Sequence, residues 1–183
     1  MADVNSDRSR ADGDEQPVVN PAQVFEKVGH LVRRLHQIST SVFIDEAKAY
    51  NLTPVQFSVL MAVKVFPGID QVGIGKFVAL DRTTVSVVVK RLLERGLVER
   101  LKAEGRKAPL RITGAAAAVI EFMQPRLMNI ETIILSPLSA SDQATFMKLL
   151  MQLVDSNNSL SRAPYESRDI RPTRRRRQKA PLS

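Results

Sequence analysis

The segment Asp81–Thr113 constrains the fold of this chain more than any other. It begins with a helical pattern that ends at Gly96, continues into a short strand, and returns in a second strand after a polar turn. A shorter helical pattern, GIGKFVAL, directly precedes it. Two helices joined by a tight turn and followed by a charged hairpin are typical of a winged helix-turn-helix. In that motif the second helix enters the major groove of duplex DNA.

The helical assignment of the first half of this segment depends on its flanks, because its run of valines favours a strand by composition alone. Asp81 is a good N-cap, and Gly96 suits the position just after a helix C-terminus. Basic residues gather towards the C-terminal end, where the helix dipole favours them. On a helical projection one face is apolar and is predicted to be core. It consists of Val85, Val88, Val89 and Leu92.

The opposite face of the same helix is polar, basic and short-chained near its start. Small hydroxyls permit close approach to base edges, and an outward valine can meet a thymine methyl group. The hairpin adds basic side chains suited to phosphate or minor-groove contact. A solvated helix face and a solvated hairpin are the alternatives. The predicted DNA-binding residues are Arg82, Thr83, Thr84, Ser86, Val87, Lys90, Arg91, Lys102, Arg106 and Lys107.

Three stretches resemble the MarR family of ligand-responsive transcriptional regulators. They are LTPVQFSVL at Leu52–Leu60, LDRTTVSVVVKRLLERGLVER at Leu80–Arg100, and RITGAA at Arg111–Ala116. The resemblance covers about Pro21–Asn158 and implies a homodimer built from the terminal helices. It also implies repression at an inverted-repeat operator, with release when a small anionic molecule binds between the bundle and the winged domain. Glu104 stands where the family's wing commonly has Asp, and Val87 where many members have a more polar residue.

The charge of the chain is unevenly distributed, and its net value of +8 suits a nucleic-acid partner. Residues 1–20 carry two basic and five acidic groups, whereas residues 161–183 carry eight basic and two acidic groups. Residues 1–20 and 160–183 show no periodic spacing of apolar residues, so they are predicted to be disordered tails. The basic tail either adds phosphate contacts or serves only solubility.

The segments between the tails are predicted to form helices around the winged domain. An apolar stripe with alternating spacings of four and three runs along residues 21–50, as expected for helices packed over a long seam. A dimer interface and an ordinary core helix both explain this stripe. Residues 51–113 are predicted to be the winged helix-turn-helix, and residues 114–159 two more helices of a dimerisation bundle. The predicted fold class is mainly α with a small β-hairpin wing.

The helix over residues 21–50 also carries clustered cations, which are suited to carboxylate or phosphate ligands. A solvated charged face is the alternative for these cations. Phe57 and Met61 are predicted to belong to the same site, and ordinary core packing is the alternative for them. The candidate effectors are an aromatic carboxylate and an acyl-CoA thioester. The predicted effector-binding residues are Arg33, Arg34, His36, Phe57 and Met61.

Several classes of function lack the residues they need. Cysteine is absent, which excludes disulfides and thiolate chemistry. His30 and His36 lack the i, i+4 spacing of a metal pair, and no nucleophile–base pair is evident. Gly68, Gly73 and Gly75 do not match a phosphate loop and are expected to mark the loop into the short helix. We therefore expect no enzymatic activity, no metal and no cofactor.

The chain shows no signal-peptide pattern and no apolar run long enough to span a bilayer, so we expect a cytoplasmic protein. The alternative to a DNA-binding regulator is a winged-helix adaptor that contacts proteins and binds DNA only non-specifically. Such an adaptor more often exposes an apolar patch where this chain has charged side chains.

Overall fold

The computed structural model describes residues 25–101 and 108–166, which are mainly helical. Two single-turn 3-10 helices, Lys48–Tyr50 and Asn158–Leu160, supplement the longer elements. The predicted mainly α fold with a small hairpin is confirmed. The chain divides into two units, Met1–Gln37 and Ile38–Ser183. The elements are α1 Val28–Glu46, α2 Pro54–Val65, α3 Gln71–Val78, α4 Arg82–Glu94, β1 Val98–Arg100, β2 Leu110–Ile112, α5 Gly114–Leu135 and α6 Ala140–Ser156.

The first described helix is shorter than the pattern over residues 21–50 predicts. Glu26 and Lys27 are not helical, and α1 ends at Glu46. The chain then tightens into a 3-10 turn, which Asn51 closes in the left-handed conformation, with φ 45° and ψ 54°. Asparagine visits this conformation more readily than most residues. The chain therefore turns sharply into α2 instead of extending α1.

The start of α2 is fixed by the capping box that its sequence predicts. The Gln56 backbone N–H donates to the Thr53 hydroxyl at 3.3 Å, and the Thr53 N–H donates to the Gln56 side-chain oxygen at 3.2 Å. Pro54 occupies the first turn, where its missing N–H costs nothing. Both bonds satisfy N–H groups that a helix start otherwise leaves unpaired.

The core of the second unit lies between α2, α3, α4, α5 and the base of the hairpin, together with Phe43 of α1. The valine-rich run is helical, and its predicted core face of Val85, Val88, Val89 and Leu92 is buried. Burial of these side chains on one face stabilises a helix that their strand propensity would oppose. The largest side chains with almost no exposure include Leu60, Ile74, Leu92, Leu110, Ile120 and Met123.

Gly73 and Gly75 lie inside α3, as the helical pattern GIGKFVAL predicts, and the expectation that they mark the loop before this helix was wrong. Asp70 caps this helix by accepting the Gly73 N–H at 2.8 Å. A Cβ at Gly75 would lie 2.9 Å from the Leu80 carbonyl oxygen, closer than real Cβ contacts come. Glycine is therefore required at position 75, because the turn between α3 and α4 passes directly against it.

The end of α4 and the hairpin base are held by a single threonine. The Thr113 hydroxyl donates to the Gly96 carbonyl at 2.7 Å, and the Thr113 N–H donates to the Leu97 carbonyl at 3.1 Å. The same hydroxyl accepts the Ala116 N–H at 3.3 Å and so caps α5. Strands β1 and β2 are antiparallel, with Val98 opposite Ile112. Thr113 therefore joins α4, the hairpin and α5.

Candidate nucleic-acid interface

The side of α4 opposite the core is a continuous exposed surface, which we call the outward face. Val87 lies at its centre and is 46% exposed, although it is apolar. Thr84 and Ser86 are half-buried, and the other members of the face are exposed. The structure therefore places all seven residues predicted on this helix together on one side. They are Arg82, Thr83, Thr84, Ser86, Val87, Lys90 and Arg91.

The N-terminus of α4 is organised by Asp81. One carboxylate oxygen accepts the Thr83 and Thr84 N–H groups, each at 2.9 Å, and the other accepts the Thr84 hydroxyl at 2.6 Å. The side-chain hydrogen bond from Thr84, followed by its backbone N–H, lowers the pKa of Asp81. Thr84 therefore stabilises the cap as well as lining the outward face.

Replacing Asp81 with asparagine is expected to lower the melting temperature at neutral pH. Asparagine also caps helices, so the change removes mainly the charge that these donors and the helix dipole favour. Because folding lowers the pKa of Asp81, its ionised carboxylate stabilises the folded protein fully at pH values above the ordinary carboxyl pKa. This stabilisation is lost as the pH falls through the lower pKa that Asp81 has in the folded protein.

Thermal melts of both proteins across an acidic pH series measure this effect. The gap between the two melting temperatures should close as the pH falls. A gap that stays constant across the series would show that the charge of Asp81 does not stabilise the helix.

At the base of the hairpin, a basic side chain is paired with an acidic one of the neighbouring strand. Arg111 lies opposite Glu99 across the two strands, and their side chains form an ion pair at 2.6 Å. The predicted phosphate-binding residues Lys102, Arg106 and Lys107 lie outside the described residues.

Arg95 fixes the C-terminal end of α4, a role that sequence patterns did not reveal. Its guanidinium donates to the carbonyl of Asn51 at 3.0 Å, to the side-chain oxygen of Gln56 at 3.3 Å and to the carbonyl of Tyr50. These acceptors lie more than 35 positions earlier in the chain, at the start of α2. Arg95 thus fixes the direction of α4 relative to the preceding helix.

A second predicted site is only partly assembled within one unit. Phe57 and Met61 line a cavity of about 270 Å3 together with Ser58, Phe77 and Val78. Phe57 is also buried against Phe43, with ring centroids 5.8 Å apart, so it has a core role as well. The predicted cationic members, Arg33, Arg34 and His36, are exposed on the part of α1 that belongs to the first unit.

A matching family model and a similar known protein show to which family this chain belongs. The model of the MarR family matches residues 50–107. The HTH-type transcriptional repressor NicR of Pseudomonas putida is 31% identical over 141 residues, which are 76% of this chain and 89% of NicR. The chain belongs to the MarR family.

Two solved MarR-family structures have the same fold. The PcaV transcriptional regulator of Streptomyces coelicolor, solved with its natural ligand, has 33% identity and a TM-score of 0.63, over 73% of this chain and 95% of PcaV. BpsR of Bordetella bronchiseptica, whose DNA binding is regulated by 6-hydroxynicotinic acid, has 30% identity and a TM-score of 0.67, over 72% of this chain and 96% of BpsR. This chain is thus a winged-helix transcriptional regulator.

Neither a metal site nor a membrane-spanning helix is found in the described residues. Within residues 25–101 and 108–166, no cluster of three or more histidine, aspartate or glutamate side chains is arranged to hold a metal ion. The helices of this part of the chain include none with the length and apolarity needed to cross a membrane.

Proposed function

We propose that this MarR-family regulator is a homodimeric repressor that binds an inverted-repeat operator and leaves it when a small aromatic acid binds. The observation that carries the proposal is the composition of the outward face. An exposed valine lies among small hydroxyls, with Arg82 before it and Lys90 and Arg91 after it. A helix of this kind can contact base edges at its centre and phosphates at its ends.

The electrostatics of the outward face favour DNA over a protein partner. Lys90 approaches Glu94 at 3.7 Å, but both side chains are mostly exposed, so this pair is weak and phosphates can compete for the lysine. The cap at Asp81 fixes the first turn of α4, and Arg95 fixes its last. Both ends of the helix are therefore held before DNA arrives, which lowers the entropy lost on binding.

The surface of α6 supports the dimer. None of its 17 residues, all within the described part of the chain, is buried. Leu149 and Leu153 are 52% and 57% exposed and lie one turn apart. An amphipathic helix gains most of its stability from packing its apolar face, so a second copy is the occupant we propose. The domain limits predicted at residues 21–50 and 114–159 belong to this proposal.

The cavity lined by Phe57 and Met61 supports an effector of modest size. Its volume, about 270 Å3, lies near the lower end for small-molecule sites. BpsR responds to 6-hydroxynicotinic acid, a single-ring aromatic acid. We propose a similar acid as the ligand of this cavity. Its binding would favour a dimer whose two α4 helices no longer match the half-site spacing.

Selection from a random duplex library, followed by fluorescence anisotropy on the enriched sequence, tests the proposal. We expect an inverted repeat with half-sites one helical turn apart, about 34 Å. The enriched duplex should bind about a thousandfold more tightly than a scrambled one. Titration with single-ring aromatic acids should then release it, whereas CoA thioesters of the same acids serve as the comparison.

Two results would contradict the proposal. Equal affinity for both duplexes, lost together as salt rises, would indicate binding by charge alone and favour the adaptor function. Release by the thioesters but not by the free acids would reject the aromatic-acid effector and leave the operator-binding function standing.

A further inference from the structure

The chain continues beyond α6 into a short segment that folds back on α3. We call Arg162–Glu166 the strap. It lies in the stretch that the sequence predicts to be a disordered tail, but its contacts are defined. The Asn158 side chain accepts the Tyr165 N–H at 2.8 Å and donates to the Tyr165 carbonyl at 2.9 Å. One amide thus pairs with both backbone polar groups of Tyr165 and turns the chain towards the helix-turn-helix formed by α3 and α4.

The strap is held on α3 by three contacts made by two consecutive residues. The Glu166 N–H donates to the Lys76 carbonyl at 2.9 Å, and the Glu166 carboxylate pairs with the Lys76 ammonium at 2.8 Å. The Tyr165 ring lies 6.0 Å from that of Phe77, which itself packs edge-on against Phe66 at 5.0 Å. The ion pair is therefore one part of a larger contact, whose other two parts do not depend on charge.

Lys76 lies beside the surface that is proposed to face DNA. It lines a cavity of about 430 Å3 together with Asp81 and Arg82, at the start of α4. In a helix-turn-helix the first helix, here α3, crosses the DNA backbone while the second enters the major groove. Lysine side chains are common partners of phosphate oxygens. A duplex bound by α4 is therefore expected to bring a phosphate within reach of Lys76.

The Lys76 ammonium is already paired with the carboxylate of the strap. The side chains of Lys76 and Glu166 are 48% and 45% exposed, so the pair is open to solvent and to other ions. Exposed ion pairs contribute little stability, and a phosphate can replace this carboxylate. If Glu166 stayed in place, its charge would lie next to the phosphates, and like charges brought together oppose binding. The closed strap and a bound duplex are thus in conflict.

From these contacts we propose that Lys76 is a further DNA-contacting residue, and that the strap opposes DNA binding by holding it in the ion pair with Glu166. The carboxylate and a DNA phosphate compete for the same ammonium. Because every duplex has the same phosphates, the strap lowers the affinity for operator and scrambled DNA alike and leaves the preference between them unchanged. The proposal rests on the DNA-binding function proposed above.

The first test loosens the strap without changing the charge of the chain, by replacing Tyr165 with alanine. Tyr165 is 42% exposed, so the change leaves the core intact. We expect the variant to bind both duplexes more tightly in anisotropy, by up to about fivefold for each protomer, the largest factor that an exposed ion pair provides. Tyr165→Phe keeps the ring and should bind like the wild type. Unchanged binding by Tyr165→Ala would overturn the proposal, as would weaker binding, which would indicate that the strap supports α3 on DNA.

The second test is a double-mutant cycle with Glu166→Gln and Lys76→Gln, because removal of any carboxylate favours DNA through net charge. Glu121→Gln, the same charge change at an exposed residue of α5, measures that general effect. Glu166→Gln should tighten binding about two- to fivefold for each protomer, more than Glu121→Gln does. In a chain that also carries Lys76→Gln, the gain should be smaller by about twofold or more. Equal gains with and without Lys76 would show that Glu166 acts only through its charge and would overturn the competition.

The salt dependence of binding tests the contact between Lys76 and a phosphate. Each phosphate interaction that is lost makes the slope of log affinity against log salt shallower by about 0.9. In a chain that already carries Glu166→Gln, adding Lys76→Gln should therefore weaken binding and reduce the slope by about this amount for each protomer. An unchanged slope would show that Lys76 does not contact the DNA backbone.

The outcomes distinguish this proposal from the proposed function. Operator preference in the wild-type chain, with no effect of Tyr165→Ala and no coupling in the cycle, would reject the role of the strap alone. Tighter binding of both duplexes by Tyr165→Ala, with coupling between Glu166 and Lys76 but without operator preference, would support the competition and reject specific operator binding.

Discussion

Replacing Val87 with glutamate is expected to weaken operator binding at least about a hundredfold, because like charges brought together at an interface cost several kcal/mol. Val87 lies at the centre of the outward face and is already 46% exposed, so the substitution neither opens a cavity nor buries a charge. The new carboxylate would instead face the phosphates and acceptor-rich base edges of the groove. Anisotropy with the enriched duplex measures the loss, and a thermal melt reports on the fold.

The matched control for this change is Val65→Glu, at the end of α2. Val65 is 53% exposed, so the same substitution there disturbs the packing of the chain to a similar, small extent and changes the net charge by the same amount. It should lower operator affinity only slightly. If the two variants lost affinity equally, total charge would explain the result and the outward face would not be the DNA contact. If Val87→Glu bound normally, α4 would not lie in the groove.

A chain carrying lysine at both Leu149 and Leu153 is expected to be monomeric and to lose most of its operator affinity. These leucines are exposed within one chain, so the substitutions leave its own core intact. In the proposed dimer they would place charges in an apolar interface, where unpaired charge is costly. Without the dimer, the second half-site is no longer bound intramolecularly, which removes a gain of about 100- to 10,000-fold.

Analytical ultracentrifugation measures the first effect and anisotropy the second. The control is Val65→Lys, which also adds positive charge at an exposed apolar residue but lies outside α6. It should remain dimeric and bind the operator. A wild-type chain that sediments as a monomer at micromolar concentration would contradict the proposed dimer, as would a double variant that stays dimeric.

Short patterns in the sequence were sufficient to predict the bounds and the buried face of α4, the helix that carries the proposed DNA contact. Asp81 and Gly96 bound α4 as predicted, and the apolar spacing identifies its buried face. The Thr53 capping box of α2 and the Ser139 cap of α6 are also local features. Caps and helical periods involve residues within about four positions of each other, so a single sequence contains the information they need.

The features that sequence did not reveal depend on contacts between distant parts of the chain. Arg95 was expected only to favour a helix end, yet it bridges α4 and the start of α2. The sequence predicts a disordered tail from Leu160 onwards, yet Glu166 contacts Lys76, 90 positions away.

The bonds made by Thr113 determine how motion passes through the winged domain. The end of α4, the base of the hairpin and the first turn of α5 all bond to this one residue, without a spacer between them. We expect such a junction to have low compliance, so that a tilt of α5 would be passed to α4 instead of being absorbed by a bending loop. A small displacement at the far end of the 22-residue α5 would therefore be felt at the outward face.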